Sequence, residues 1–316
     1  MIKTFESIVS RQIDLYNMDS GMIDKSLEWI KSHNIGITDS HLERKSISSL
    51  KIPQHLFFAG NEDLLNKKKI AIVGTRKPDN YGHYAVEKIV SSLSSEYATV
   101  SGFALGIDSL VHSESIKNNI ATIAVTGSGF AVNYPASNAQ LKKHIIEDGL
   151  LLSEYSPFIK PYRHNFIRRN LIIAYLADIV IITRGTSRSG TLSTLTWAEK
   201  LDREIYALPG NINSKLSYAP NYALSRGARP LHDLSQCGFL KPDSNSGESV
   251  SPSERKILKI ISRYPRIDAM LRNSDCSREN LLSIITNLEI KNIVRRTANN
   301  TIEIMEDING RTDTKD

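Results

Sequence analysis

The chain has 316 residues, with 40 Lys and Arg against 34 Asp and Glu and a formal net charge of +6. That is too long for one ordinary domain, and the mild positive balance favours an anionic partner without choosing between nucleic acid, membrane surface and acidic protein. Cys237 and Cys276 stand far apart and speak against a disulfide framework or zinc site; with neither a signal peptide nor an apolar run of about 18 residues, the chain reads as soluble, cytoplasmic and free of membrane contact.

Residues 1–50 have helical periodicity, with Met22, Ile23, Leu27 and Ile30 and then Ile35 and Ile37 as the apolar positions, and form a small helical N-terminal module. They lack a helix-hairpin-helix glycine signature, which leaves their role open. Residues 51–235 hold a run of short apolar strands: Lys69–Val73, Ala98–Val100, Ala121–Val125, Leu150–Leu152, Ile179–Ile182 and Glu204–Ala207. Near-continuous apolar strands of this length suit a parallel sheet buried on both faces. The fold class is α/β, an extended Rossmann-like, doubly wound, mostly parallel sheet. A Pro/Ser/Gly/Asn-rich stretch reads as a linker over residues 236–252.

Residues 253–305 have the layout of a winged helix. Ser253 caps a helix with Ile257, Leu258 and Ile261 inward; a second carries Ile267, Met270 and Leu271; Ser277 caps a third with Leu281, Leu282, Ile285 and Leu288 inward. A hairpin around Asn299-Asn300 follows, with Arg295 and Arg296 on its first arm. Ten Lys and Arg stand against six Asp and Glu between residues 251 and 305, a balance that suits either duplex DNA or a protein partner. Residues 306–316 are a polar tail.

The chemistry lies in the turns that follow the strands: Gly74-Thr75-Arg76, Ser101-Gly102 to Gly106, Thr126-Gly127-Ser128-Gly129, Arg188-Ser189-Gly190-Thr191 and Pro209-Gly210-Asn211. In an open α/β sheet such turns line one crevice, where small residues let backbone N–H groups and helix N-termini approach anionic oxygens. Arg76 offers paired hydrogen bonds to a phosphate, or else pairs with a carboxylate such as Asp108. Asp108 caps or orients its loop. His112, four residues on, shares its helix face, but no nucleophile is placed beside them. The stretch from Tyr162 to Asn170, between the strand ending at Ser153-Glu154 and a helix beginning near Asn170, is the most nucleic-acid-like. Arg163, Arg168 and Arg169 offer phosphate contacts there, and Phe166 offers either a stacking face or a core side chain.

The series Ile52–Asn61, Ile72–Arg76, Ser101–Asp108 with His112, Ala124–Gly129 with Tyr134-Pro135, Leu152–Tyr155, Phe166–Asn170 with Ile172–Ala174, Arg188–Leu192, Ala207–Ile212 and Arg226–Ala228 resembles the DNA processing protein A (DprA/Smf) family in order and spacing. These are bacterial single-strand DNA binders that hand DNA to the RecA recombinase. The resemblance implies that the chain binds single-stranded DNA without catalysis or cofactor, forms a homodimer, protects incoming DNA during natural transformation and loads RecA. It also implies that the Phe166 segment borders the DNA groove with Arg163 near the strand. Together with the turn chemistry it marks Gly74, Thr75, Arg76, Ser101, Gly102, Gly106, Arg163, Phe166, Arg169, Asn170, Arg188, Ser189, Gly190, Thr191, Gly210 and Asn211 as DNA-binding candidates, with Arg169 and Asn170 as floor at a helix N-terminus.

Two alternatives share the fold. Nucleotide-cleaving enzymes of the LOG group carry a catalytic glutamate after a Gly-Thr-Leu, whereas Gly190-Thr191-Leu192 is followed here by Ser193 and Thr194. Neither G-x-G-x-x-G nor a Walker lysine occurs, which disfavours dinucleotide chemistry and ATP hydrolysis. The other alternative is an adaptor whose helical module and winged helix bind proteins.

Overall fold

Alternation along the strand Lys68–Val73 sends Ile70 and Ile72 to one face of the sheet and Ala71 and Val73 to the other, and each pair enters a separate buried cluster. Both faces must therefore be covered. The computed structural model, which describes residues 2–39, 52–234, 237–240, 252–274, 276–290, 293–297 and 301–304, shows how. It divides into two units, Met1–Lys241 and Pro242–Asp316.

The first unit begins with helices α1 (Ile2–Leu15) and α2 (Gly21–Ser32) and strands β1 (Gly36–Asp39), β2 (His55–Gly60) and β3 (Lys68–Val73). Alternating helices and strands follow: α3 (Asn80–Ser92), β4 (Tyr97–Ser101), α4 (Ile107–Lys117), β5 (Ala121–Thr126), α5 (Ala139–Asp148), β6 (Leu150–Ser153), α6 (Arg163–Leu176) and β7 (Ile179–Ile182). The unit closes with α7 (Thr191–Lys200), β8 (Glu204–Ala207), α8 (Tyr218–Ser225) and β9 (Arg229–Pro230). The nine strands lie in the order β1-β2-β6-β5-β4-β3-β7-β8-β9. From β6 to β9 all neighbours are parallel, with Ile72 beside Ile181 and Val100 beside Ile123; β2 runs antiparallel to β6, and β1 antiparallel to β2. The strand order reverses at β3 and β7, the position where open α/β sheets form their binding crevice.

The structure bears out the doubly wound, mostly parallel sheet and corrects its edges. Ile35 and Ile37 do not continue a helix. Asn34 takes a left-handed φ of 52°, and Gly36–Asp39 then pairs with β2. Nor do residues 1–50 stand apart. Phe5, Val9 and Ile13 of α1 and Ile30 of α2 share a buried cluster with Phe57, Ala124, Phe130, Ile145 and Leu151, which joins the N-terminal helices to the sheet. The sheet unit also ends later than expected. Cys237, Phe239 and Leu240 fall in the expected linker, yet they are buried against Tyr97, Tyr206 and Leu231. Residues 236 and 241–251 of that linker lie outside the described residues.

In the second unit, α9 (Pro252–Ile261), α10 (Ile267–Arg272) and α11 (Arg278–Ile290) precede an antiparallel pair, β10 (Val294–Thr297) and β11 (Thr301–Ile304). Ile257, Ile261, Ile267, Met270, Leu281, Ile285 and Leu288 form its core. Leu258, Leu271 and Leu282 are only partly buried. Ser277 does cap α11, accepting from Asn280 N at 3.3 Å. The expected cap Ser253 instead lies inside α9, which opens on Pro252, a residue suited to a first helical turn. Arg295 pairs with Glu303 directly across the hairpin at 2.8 Å, and Arg296 with Glu289 at 3.2 Å. The turn at Asn299-Asn300 and the tail at 306–316 lie outside the described residues.

Because the sheet unit closes on Phe239 and Leu240, a chain cut after Leu240 will keep the thermal unfolding midpoint of its sheet unit. A chain cut after Asp233 will lose it by several degrees, since about 3–5 kcal/mol accompanies removal of a buried phenylalanine alone. Equal midpoints for the two fragments in calorimetry would show that residues 237–240 add nothing to the core.

Candidate nucleic-acid interface

At the carboxyl ends of β3 and β7 lies a cleft of about 350 Å³. It is lined by Gly74, Thr75 and Arg76 after β3, by Thr186 and Arg188 to Thr191 after β7, and by Phe166, Arg169 and Asn170 of α6. A smaller adjoining hollow, lined by Gly102, Gly127, Tyr134 and Pro135, shares Arg76, Ala104 and Phe166 with it.

The floor is built around Arg169. Its side chain is 6 % exposed, with Nη1 3.7 Å from Asp108 Oδ2 and donating to Val125 O at 3.3 Å, while Nε is buried with no hydrogen-bond partner. Burial pushes the Asp108 carboxyl up, and Arg169 pulls it part of the way back; burial likewise lowers Arg169, with Asp108 opposing. A guanidinium remains charged under such a shift, and the cleft therefore has a desolvated cation in its floor whose hydrogen bonding is incomplete. This arrangement requires glycine at two places. A Cβ on Gly102 would fall inside the Arg169 guanidinium and 2.6 Å from Asp108 Oδ2. Gly106 holds φ +78°, a conformation that closes the loop over Thr75 and Arg76 and opens α4.

Phe166 is half-buried at the junction of the two hollows. Its ring lies over Gly127, where a Cβ would meet it at 2.8 Å. The guanidinium carbons of Arg76 and Arg169 stand 5.5 and 5.8 Å from its centroid, and the Tyr134 ring 5.6 Å away. These contacts hold the aromatic face at the cleft between two cations. Asn170 ties α6 to the turn before α7, donating to Gly190 O at 3.2 Å and Ser193 Oγ at 2.6 Å. That turn also holds itself together: Thr191 N donates to Ser189 Oγ at 3.2 Å. The N-terminus of α7 opens at its end, a position that favours anions.

Apart from Arg11 on α1 and Arg203, which donates to Ala174 O and Tyr175 O, the described arginines of the sheet unit fall into two sets. Arg168, Arg169, Arg184, Arg226 and Arg229 each pair with a carboxylate. Arg76, Arg163 and Arg188 are exposed and form no ion pair with another described residue. Arg76 therefore does not take Asp108 as its partner.

Several expectations need correction. The helix expected near Asn170 begins at Arg163, after Pro161 and an extended Tyr162, so Asn170 sits mid-helix and reaches the glycine turn by its side chain. The polar run Arg163-His164-Asn165 contains no breaker and continues as helix. Ser101 is fully buried, its hydroxyl donating to Ile72 O at 2.7 Å, and it supports the sheet end rather than facing the cleft. Gly210 and Asn211 also stay off the cleft wall; Gly210 is clamped by Asn221 through bonds of 3.2 and 2.9 Å. Arg163 stands at the start of α6, outside the cleft lining.

Two contributors were missed. Arg184 is buried and donates to Asp79, to Ser217 Oγ at 2.7 Å and to Ser214 Oγ at 2.9 Å, fixing the strand end beside Gly74. Burial pushes Asp79 up, but bonds from Arg184 and Gly82 N outweigh it and leave the carboxyl below its ordinary value. The sequence signal was Asp79 as an N-cap; partners 105 and 33 residues away gave none. The other is Tyr134, which borders Phe166.

His112 belongs to the scaffold. It is fully buried, Nδ1 lies 2.7 Å from Thr122 Oγ1, and Thr122 continues through Thr99 to Ser115, tying α4 to β4 and β5. Burial, assisted by Arg169, lowers its pKa to about 3, so it is neutral at physiological pH.

Comparison with known proteins adds a family. The profile described as DNA recombination-mediator protein A matches residues 37–238. The chain is 41 % identical over 177 residues to DNA processing protein DprA of Streptococcus pneumoniae, covering 56 % of this chain and 63 % of that protein. It is 38 % identical over 181 residues to DprA of Bacillus subtilis, covering 57 % and 61 %. The chain thus spans a little over three fifths of the length of these two relatives. Among solved structures it resembles DprA of S. pneumoniae with a TM-score of 0.61 and 34 % identity, covering 68 % of this chain and 76 % of that one. It also resembles DNA processing protein A of Helicobacter pylori, whose structure concerns a single-stranded DNA binding mode, with a TM-score of 0.56 and 28 % identity, covering 63 % and 91 %.

The state of His112 predicts a pH dependence of stability. The unfolded chain takes up a proton near pH 6.5 that the folded chain refuses until about pH 3. Stability therefore falls on acidification across that window, by about 1.4 kcal/mol per pH unit for one proton. Chemical denaturation at pH 7 and pH 5 will show a shallower loss for His112→Leu than for the parent chain. Equal losses would place the proton-refusing group elsewhere.

Proposed function

The chain belongs to the DNA recombination-mediator protein A family, and on that premise we propose that its cleft holds single-stranded DNA without cutting or modifying it. The observation that carries this reading is the placing of charge at the cleft: Arg76 and Arg188 stand there exposed, without a carboxylate partner among the described residues, while Arg169 beneath and Arg184 beside Gly74 are each paired with one. Phosphates meet Arg76, Arg188 and the amides at the start of α7, and Arg163 meets the strand as it passes the start of α6. Arg169 supplies attraction from below. One unpaired base lies against Phe166, as in proteins that combine a basic groove with aromatic stacking and tolerate any sequence. His112 is buried and neutral, and Asp108 is committed to Arg169 and the amide of Ala104, which leaves no acid and base pair at the cleft.

The finer roles follow from the family and from strand holding together. They are protection of incoming DNA, delivery of the strand to RecA recombinase in natural transformation or recombination, and action as a homodimer in the cytoplasm. No helix among the described residues is long and apolar enough to cross a membrane, in keeping with that setting. The second unit adds affinity for duplex DNA or a protein.

Arg76→Ala is expected to weaken oligothymidine binding by about 1–3 kcal/mol and to lower the salt dependence by roughly 0.7 of an ion, without loss of thermal stability. Phe166→Ala is expected to cost about 1–3 kcal/mol of binding with the fold retained. Anisotropy titrations at several salt concentrations measure both. Unchanged affinity and slope for Arg76→Ala, or a loss of about 3–5 kcal/mol of stability with unaltered binding for Phe166→Ala, would contradict the reading.

A further inference from the structure

A second aromatic surface lies at the start of α6, the helix that carries Phe166. Tyr162, the extended residue that precedes α6, stands four positions before Phe166 in the chain. Its ring is parallel to that of His164, with centroids 5.8 Å apart and planes 7° apart. Tyr16, from the end of α1, completes the group: it lies 5.4 Å from Tyr162 at 16° and 6.0 Å from His164 at 13°. Three parallel rings at nearly equal mutual distances cannot form a column, because the outer pair of a column would lie at twice the spacing of its neighbours. They form a staggered, near-parallel array, an aromatic plate in which each ring is partly stacked on the others. Tyr162 is 40 % exposed and His164 is exposed.

The plate is held rigidly. The Tyr16 hydroxyl donates to Asn165 Oδ1 at 2.9 Å, and the buried Tyr155 ring packs edge-on against Tyr16 at 6.3 Å. Gln12, one turn earlier on α1, bonds Glu154 O at 2.7 Å and Ser156 N at 2.6 Å. The acidic neighbour, Glu154, is neutralised by Arg168 at 2.5 Å. Arg163, exposed and without a carboxylate partner among the described residues, lies in sequence between Tyr162 and Phe166. A rigid, wet plate of parallel rings beside an unpaired cation suits an unpaired nucleobase, whose π-face stacks whatever its identity.

We propose that Tyr16, Tyr162 and His164 form a second base-stacking platform, which receives a nucleotide of the same strand after it leaves the cleft past Arg163. This deepens the reading of the cleft as a single-strand site and rests on it. It gives the N-terminal segment a function besides packing: Tyr16, in the turn after α1, supplies one of the three rings.

The test is anisotropy titration of the full chain with oligothymidines lengthened one nucleotide at a time. The parent chain will show a rise in affinity beyond the length that fills the cleft, and Tyr162→Ala combined with His164→Ala will abolish that rise, by roughly 5- to 150-fold, while leaving shorter oligomers unaffected. Phe166→Ala will weaken every length. If the double variant keeps the rise while Phe166→Ala binds weakly, the platform is refuted and the cleft stands. If the double variant loses the rise while Phe166→Ala binds normally, the platform stands and the stacking role of Phe166 falls. Should the double variant not fold, photocrosslinking of 5-iodouracil-substituted oligomers to the parent chain decides: adducts on Tyr16 or Tyr162 support the platform, and adducts on Phe166 without either overturn it.

Discussion

A buried guanidinium beneath the strand ends constrains everything around the cleft. Arg169 is surrounded by Asp108, the Val125 carbonyl and the Phe166 ring. It fits only because Gly102 has no side chain, and Asp108 is present at the right depth only because Gly106 turns the chain sharply into α4. An isolated buried charge is costly, and even a paired one is commonly a net cost relative to an apolar core. Here it lies in the floor of the cleft with Nε left without a hydrogen-bond partner. Phe166 rests partly on the same cation, so the aromatic element and the electrostatic floor are a single construction.

Around that floor, charge is sorted by position. Arg184 holds Asp79 and two serines and thereby locks the strand end beside Gly74; Arg168 neutralises Glu154 next to the aromatic plate. Three of the cations without a carboxylate partner among the described residues, Arg76, Arg163 and Arg188, stand at the cleft or at the start of α6. Neutralised cations contribute little to steering an anionic strand, whereas a few exposed ones at a crevice concentrate the field there.

The six central strands were legible because apolar runs between glycine and hydroxyl turns leave few alternatives, and the turns that line the cleft were legible from their chemistry. What escaped was set by distance or by ambiguous composition. Ile35 and Ile37 suit helix and strand alike, and only the partner strand β2 decides between them. The polar run after Tyr162 looks like a loop but contains nothing to stop a helix. Which turns face the cleft depends on strand order, so Gly210 and Asn211 could not be separated in advance from Arg188 to Thr191. Arg184 owes its place to Asp79, 105 residues away. Cys237 to Leu240 follow a polar stretch and merge in sequence with the linker, though Phe239 packs edge-on against Tyr206 at 5.2 Å.

A crystal structure of the chain with bound oligothymidine addresses the central claim most directly. The account predicts phosphate oxygens within hydrogen-bonding distance of Arg76 and Arg188 and a thymine ring against Phe166, with Arg169 still beneath it beside Asp108. A strand bound on another surface, with the cleft between β3 and β7 left without nucleotide, would contradict it.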